Sequence, residues 1–133
     1  MKKLLNYEEW VTTCITNIAE YFNLGGWTIS VEFPEEAKGN SYAEATINHV
    51  YQNAIINIFP QAKKDFESKK LDIVVMALVH ELVHVFLDPF HEFVNPHLSE
   101  VTTPYFMNIV EQQTQKLTMV FLKNLPQNII PAR

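Results

Sequence analysis

The 133-residue chain is 47% hydrophobic and 12% aromatic, with a formal net charge of −5. Those proportions predict a single folded domain with its own core and exclude intrinsic disorder. The acidic balance leaves no basic footprint for nucleic acid or an anionic membrane surface, and the one cysteine, Cys14, rules out an intrachain disulfide, which suits a reducing compartment.

The opening "MKKLLNYEEW" has two lysines but no long apolar stretch or small-residue cleavage site, so it does not read as a signal peptide. From Tyr7, the residues Trp10, Val11, Cys14, Ile15, Ile18 and Phe22 recur at spacings of three and four. That spacing predicts an amphipathic helix with Cys14 in the core, stopped by Gly25 and Gly26. "WTISVEF" (27–33) alternates apolar and polar residues as a half-buried strand does. "SYAEATI" (41–47) and "YQNAIINIF" (51–59) read as two more strands around a turn at Asn48 and His49, giving a small antiparallel three-stranded sheet.

Pro60 ends the third strand. The charges from Lys63 to Lys70 read as the solvated entrance to a long helix that starts between Phe66 and Leu71 and that Pro89 closes. The proline-punctuated stretch 89–104 is expected to be irregular. A last helix, with Thr103 as N-cap and Pro104 at its first position, runs to about Leu125. The whole is an α+β single domain, 1–133, of three main helices and a small sheet. The most apolar segment is interrupted by His80, Glu81 and His84 and does not give the roughly 18 uncharged residues of a membrane span. The expectation is a soluble, cytoplasmic protein.

The central helix "DIVVMALVHELVHVFLDPF" (72–90) is apolar on nearly every side, yet it spells H-E-x-x-H in its middle. At about 100° per residue, with His80 at zero, His84 falls near 40°, Asp88 near 80° and Glu81 near 100°. Val75, Leu78, Val79, Leu82, Val83 and Phe86 take the other side. Histidines at i and i+4 stand one turn apart on one face, so both imidazoles can reach one zinc ion at about 2.0–2.1 Å. The intervening glutamate contacts the open coordination position instead and serves there as a base toward water. The competing reading is two buried histidines satisfied by hydrogen bonds, which buries three titratable groups without a functional return.

A catalytic zinc usually takes a third protein ligand. The pattern with glycine at 87 and histidine at 90 fails, because Leu87 and Phe90 stand there and His91 comes one residue late. Asp88 lies on the right side of the wheel but one turn further on, where it reads as a helix-end carboxylate; Glu100 sits in a loop. Glu111, on a stripe of the last helix with Met107, Thr114, Gln115 and Thr118, is the candidate of choice.

"HELVH" followed 27 residues later by Glu111 in a second helix resembles the gluzincin branch of zinc metallopeptidases. "VHELVHVFLDPF" with "VEQQTQKL" looks particularly like the minimal zincin domains of phage and prophage proteins, with the ImmA/IrrE-type peptidases of mobile elements a related comparison. The resemblance covers roughly residues 27–125. It implies a zincin-like fold, His80, His84 and Glu111 as zinc ligands, and Glu81 as general base. It also implies that a strand, taken as 51–59, borders the cleft with an edge open to an extended peptide. Many gluzincins carry aspartate four residues after the ligand glutamate to orient a histidine; Gln115 stands there, and can still accept an imidazole N–H. His91, His97 and Tyr105 are candidates for stabilising an oxyanion.

The expected function is therefore a small zinc-dependent endopeptidase acting on a protein or peptide. The alternative is a catalytically inactive zincin-like scaffold that binds zinc or a protein partner. Zinc suits two imidazoles and a carboxylate, although manganese, iron or cobalt fits the same set. Oligomeric state is left open by a free strand edge and the apolar "NIIPAR" tail.

Overall fold

The computed structural model describes residues 4–133; the signal-peptide reading of the chain start falls partly on residues 1–3, outside the described residues. The chain order is α1 (Tyr7–Tyr21), β1 (Thr28–Glu32), β2 (Ala43–Asn48), β3 (Asn53–Ile58), α2 (Pro60–Glu67), α3 (Leu71–Val94), a short 3-10 turn (Asn95–His97) and α4 (Thr103–Asn124). This is the expected α+β architecture, with one helix more than the periodicity predicts.

α1 begins with a reciprocal cap: Asn6 Oδ1 accepts from the Glu9 N–H, and the Glu9 carboxylate accepts from the Asn6 N–H. It ends earlier than the glycine pair. Asn23 takes the left-handed conformation at φ 60°, its N–H donating to the Glu20 carbonyl while Leu24 N–H donates to Ala19. Asparagine tolerates this geometry, so Gly25 and Gly26 are not needed as the stop. Cys14 is fully buried, as expected, and burial pushes its thiol up to about 12.

The additional helix, α2, starts on Pro60, whose missing N–H costs nothing in a first turn. It ends by the same device as α1, with Lys69 at φ 62° and Lys70 N–H donating to the Asp65 carbonyl at 2.8 Å. The lysine-rich stretch read as the entrance to one helix is thus the junction between two. Asp65 is buried and accepts from Tyr42 Oη at 3.0 Å and Gln61 Nε2 at 3.2 Å, which ties α2 to the segment entering β2.

The sheet order is β1-β3-β2, and the sheet is mixed: β2 pairs antiparallel with β3, as the short turn demands, but β1 runs parallel to β3. The expectation of an all-antiparallel sheet fails at β1. Segment 33–42 is long enough to carry the chain past β3, so neighbours in sequence are not neighbours in the sheet. β3 is central because it is the most apolar strand, burying Ala54, Ile56 and Ile58 on the inner face. Its edges are both occupied, so 51–59 has no free edge; the edge strands are β1 and β2, and it is β2 that borders the cleft described below. The inner-facing residues of β2 are small at Ala43 and Ala45, which lets α3 pack close along it.

α3 is the central element: α1, α2, α4 and β2 all pack on it. Leu78, Val79, Leu82, Val83 and Val85 are fully buried. Length and composition alone would let the helical segment Leu71–His97, at mean hydropathy 1.7, cross a membrane, but half of that apolar window is buried within the fold, as in a core helix. Pro89 does not close α3, as expected from sequence, but lies inside it. A proline removes the hydrogen bond of its own nitrogen. Asp88 before it is held in helical geometry by burial and by a 2.8 Å pair with His49. α4 begins one residue early, with Thr102 as N-cap and Pro104 in the first turn. It faces α3 through Val110, Thr114 and Thr118, the threonines allowing close approach. The C-terminal segment packs back on its own domain: Trp10 Nε1 donates to Pro131 O at 3.0 Å, and Arg133 stacks 3.9 Å from the Phe66 ring centre.

Candidate metal centre

One ligand atom from each of His80, His84 and Glu111 lies within 4.8 Å of the others. The arrangement follows from the local structure. The two histidines occupy one face of α3 a turn apart, and α4 crosses that face with Glu111 turned toward them. His84 Nε2 is 3.0 Å from Glu111 Oε1, and His80 Nε2 is 3.4 Å from Oε2. Both imidazoles therefore present the same nitrogen to the carboxylate. Each histidine side chain is about one-fifth exposed, whereas that of Glu111 is 58% exposed, so the trio sits at the floor of an open cleft.

His80 is fixed in orientation by α4. Its Nδ1–H donates to Gln115 Oε1 at 2.9 Å, which holds the ring with Nε2 turned toward Glu111. Burial pushes His84 below the usual imidazole range, while the Glu111 carboxylate partly restores it; the balance favours the neutral form that ligates metals. Two imidazoles and a carboxylate converging on one point are a donor set suited to a divalent cation of the zinc type.

Glu81 points elsewhere. It is only 8% exposed and faces the free edge of β2, where the Ala45 backbone N–H favours its ionised form. The pairing explains why that N–H is available. Phe59 N–H donates to the Tyr42 carbonyl, so residues 42, 44, 46 and 48 exchange hydrogen bonds with β3, and the backbone groups of Ala43, Ala45 and Ile47 turn outward. Burial raises the Glu81 carboxyl to about 8; the Ala45 amide opposes the rise, and the Glu111 and Glu44 carboxylates add to it. A cation held by the neighbouring trio would favour the ionised form.

The cleft has a volume of about 560 Å³. Ala43, Ala45 and Ile47 of β2 form one wall, and Met107 and Glu111 of α4 contribute to the other. His91 also lines it, because the helix continues through Pro89 and brings His91 back to the face of His84 two turns on. Burial lowers the His91 pKa, against the pull of Asp88, Glu111 and Glu92. Of the other oxyanion candidates, His97 packs on Phe93 and Tyr105 is 72% exposed; neither lines the cleft, and nor does Glu100. Asp88 is not a helix-end carboxylate. It is buried within α3, paired with His49 in the β2–β3 turn, and outside the ligand trio. Replacing His49 with alanine leaves that carboxylate buried and unpaired, and is expected to lower unfolding free energy by about 1–3 kcal/mol in urea titrations.

The bordering strand was misassigned from sequence, and the Ala45 amide was missed. The alternation of small and polar residues in "YAEATI" was the available signal for a strand approached closely by another element. No protein-family model, curated protein or solved structure matches the chain.

Proposed function

We propose that the chain is a zinc-dependent hydrolase of the zincin type, a small endopeptidase acting on a protein or peptide in the cytoplasm. The observation that carries this reading is the convergence of His80 Nε2, His84 Nε2 and the Glu111 carboxylate beside a separate buried carboxylate, Glu81, at an open strand edge. His80, His84 and Glu111 would hold the metal. When bound, zinc supplies Lewis-acid polarisation of a carbonyl and lowers the pKa of water to roughly 7.

The chain's own residues do the rest. The outward N–H and C=O groups of Ala43 and Ile47 pair with an extended peptide as an added strand, which aligns its backbone with the trio. Glu81 takes a proton from the attacking water and delivers it to the leaving amine as the C–N bond breaks. Gln115 holds His80 in register, and the cleft is wide enough for backbone but shallow, which suits an unfolded or extended segment. The resemblance of "HELVH" and "VEQQTQKL" to minimal phage and prophage zincins supports the same reading.

The test is digestion of a proteome-derived peptide library by zinc-loaded protein, with products read by mass spectrometry. Cleavage that stops on adding a chelator and returns with zinc is expected. A library left intact by zinc-loaded protein would point to a non-catalytic zinc-binding scaffold instead.

A further inference from the structure

One apolar stripe of α3 is buried in its first half and bare in its second. With His80 at zero, Val75, Val79, Leu82, Phe86, Phe90 and Phe93 all fall between about 200° and 280° around the helix. Val75, Val79 and Leu82 are buried in the core that α1 and α3 share. α1 then ends at Tyr21, and the chain turns away at Asn23. Phe22 still reaches the stripe, its ring 6.2 Å from that of Phe86. Beyond it the exposure climbs along the helix, from 44% at Phe86 to 59% at Phe90 and 73% at Phe93. The apolar face of a helix is ordinarily covered.

The bare half has the size of an interface. Tyr21, 43% exposed at the end of α1, extends it, its ring 6.0 Å from that of Phe22. At roughly 200 Å² per ring residue, Tyr21 and the three phenylalanines leave about 440 Å² open. A standard interface removes about 800 Å² per partner, of which about 56–58%, or about 450 Å², is non-polar. The stripe is also self-complementary. Phe86 stands about 6 Å before Phe90 along the helix axis, and Phe93 about 4.5 Å after it. Two copies of α3 laid antiparallel across a two-fold axis at Phe90 therefore set Phe86 of each on Phe93 of the other. A lipid surface fits less well, because residues 71–97 contain Asp72, Glu81, Asp88 and Glu92 but no lysine or arginine to meet headgroups.

We propose that the exposed stripe of Phe86, Phe90 and Phe93 is a homodimer interface, and that its occupant is the same stripe on a second copy of this chain. His84 and His91 lie near 40° and 20° on the same wheel, on the other side of the helix, so both clefts stay open. The pairing needs no metal, so it stands or falls independently of the zinc site. It also gives the C-terminal half of α3 a support that the monomer lacks. Burial in the dimer clamps the helix across Pro89, where one backbone hydrogen bond is missing.

Sedimentation velocity on the full chain tests this. At about 100 μM the wild type is expected to sediment with twice the mass of one chain and to dissociate on dilution. Phe90→Glu places two carboxylates on the axis. It is expected to raise the dissociation constant at least about a hundredfold, because a two-fold contact feels each substitution twice. Phe90→Lys is expected to be monomeric alone and to restore a dimer when mixed with Phe90→Glu, as pairing through residue 90 requires. Phe93→Glu, at the most exposed position of the stripe, repeats the test if a charge at 90 disturbs folding. Tyr51→Glu, 77% exposed in the turn between β2 and β3, is expected to leave the dimer intact. A wild type with the mass of a single chain at that concentration would overturn the proposal, and its binding to neutral phosphatidylcholine vesicles would assign the stripe to lipid instead. A dimer of unchanged affinity in both Phe90→Glu and Phe93→Glu would put the interface elsewhere and overturn it as well.

Discussion

Glu81→Gln is expected to retain zinc with an affinity within about threefold of wild type while peptide cleavage falls by about a hundred- to ten-thousandfold. The two effects separate because Glu81 is turned away from the ligand trio and toward Ala45. Glutamine has the same shape, so its carbonyl oxygen can occupy the same place beside the Ala45 N–H. It has no basic oxygen with which to take a proton. The substitution also removes a carboxyl that burial raises to about 8, so it is not expected to destabilise the fold through lost charge. Calorimetry for zinc and mass spectrometry for cleavage check the two halves. Turnover equal to wild type would show that some other group is the base.

The second large effect is on the metal itself, and it distinguishes a ligand from its support. Zinc sites with four protein ligands bind with about 10–16 kcal/mol, which assigns roughly 2.5–4 kcal/mol to each ligand. His84→Ala is therefore expected to weaken zinc by a factor of a few hundred, about 10²–10³. Gln115→Ala removes only the hydrogen bond that orients His80 and is expected to weaken zinc by about tenfold, the low end for a group supporting a ligand, because an amide does not raise imidazole basicity as a carboxylate does. Competition against a fluorescent chelator measures both. Equal losses in the two variants would mean that His84 contributes no more than orientation, and the trio would have to be redrawn.

Much of this site is legible in the sequence because it is carried by helices. The i, i+4 spacing of His80 and His84 fixes their common face before any tertiary contact is known, and the apolar residues around them fix which side of α3 is core. Glu111 could be nominated for the same reason, since Thr114 and Thr118 share its stripe and do pack against α3. The Gln115–His80 hydrogen bond, allowed by sequence, is present at 2.9 Å.

What was illegible depends on contacts between distant segments. Pro89 reads as a terminator by its local geometry, but the His49–Asp88 pair, spanning two elements, holds the helix through it and so delivers His91 to the cleft. The stops of α1 and α2 lie at Asn23 and Lys69, non-glycine residues in a conformation that sequence rules reserve mainly for glycine. Strand order is set by where a long connection crosses, which periodicity does not encode, and that error moved the cleft wall from β2 to β3.

The measurement that tests the central claim most directly is zinc per chain by elemental analysis, on protein purified without an affinity tag or chelator, beside Glu111→Ala. The expected result is about one zinc per wild-type chain, as one three-ligand site requires, with a clear loss in the variant. No metal in the wild type, even after zinc is added back and excess removed, would contradict the account and leave His80, His84 and Glu111 as a polar cluster without chemistry.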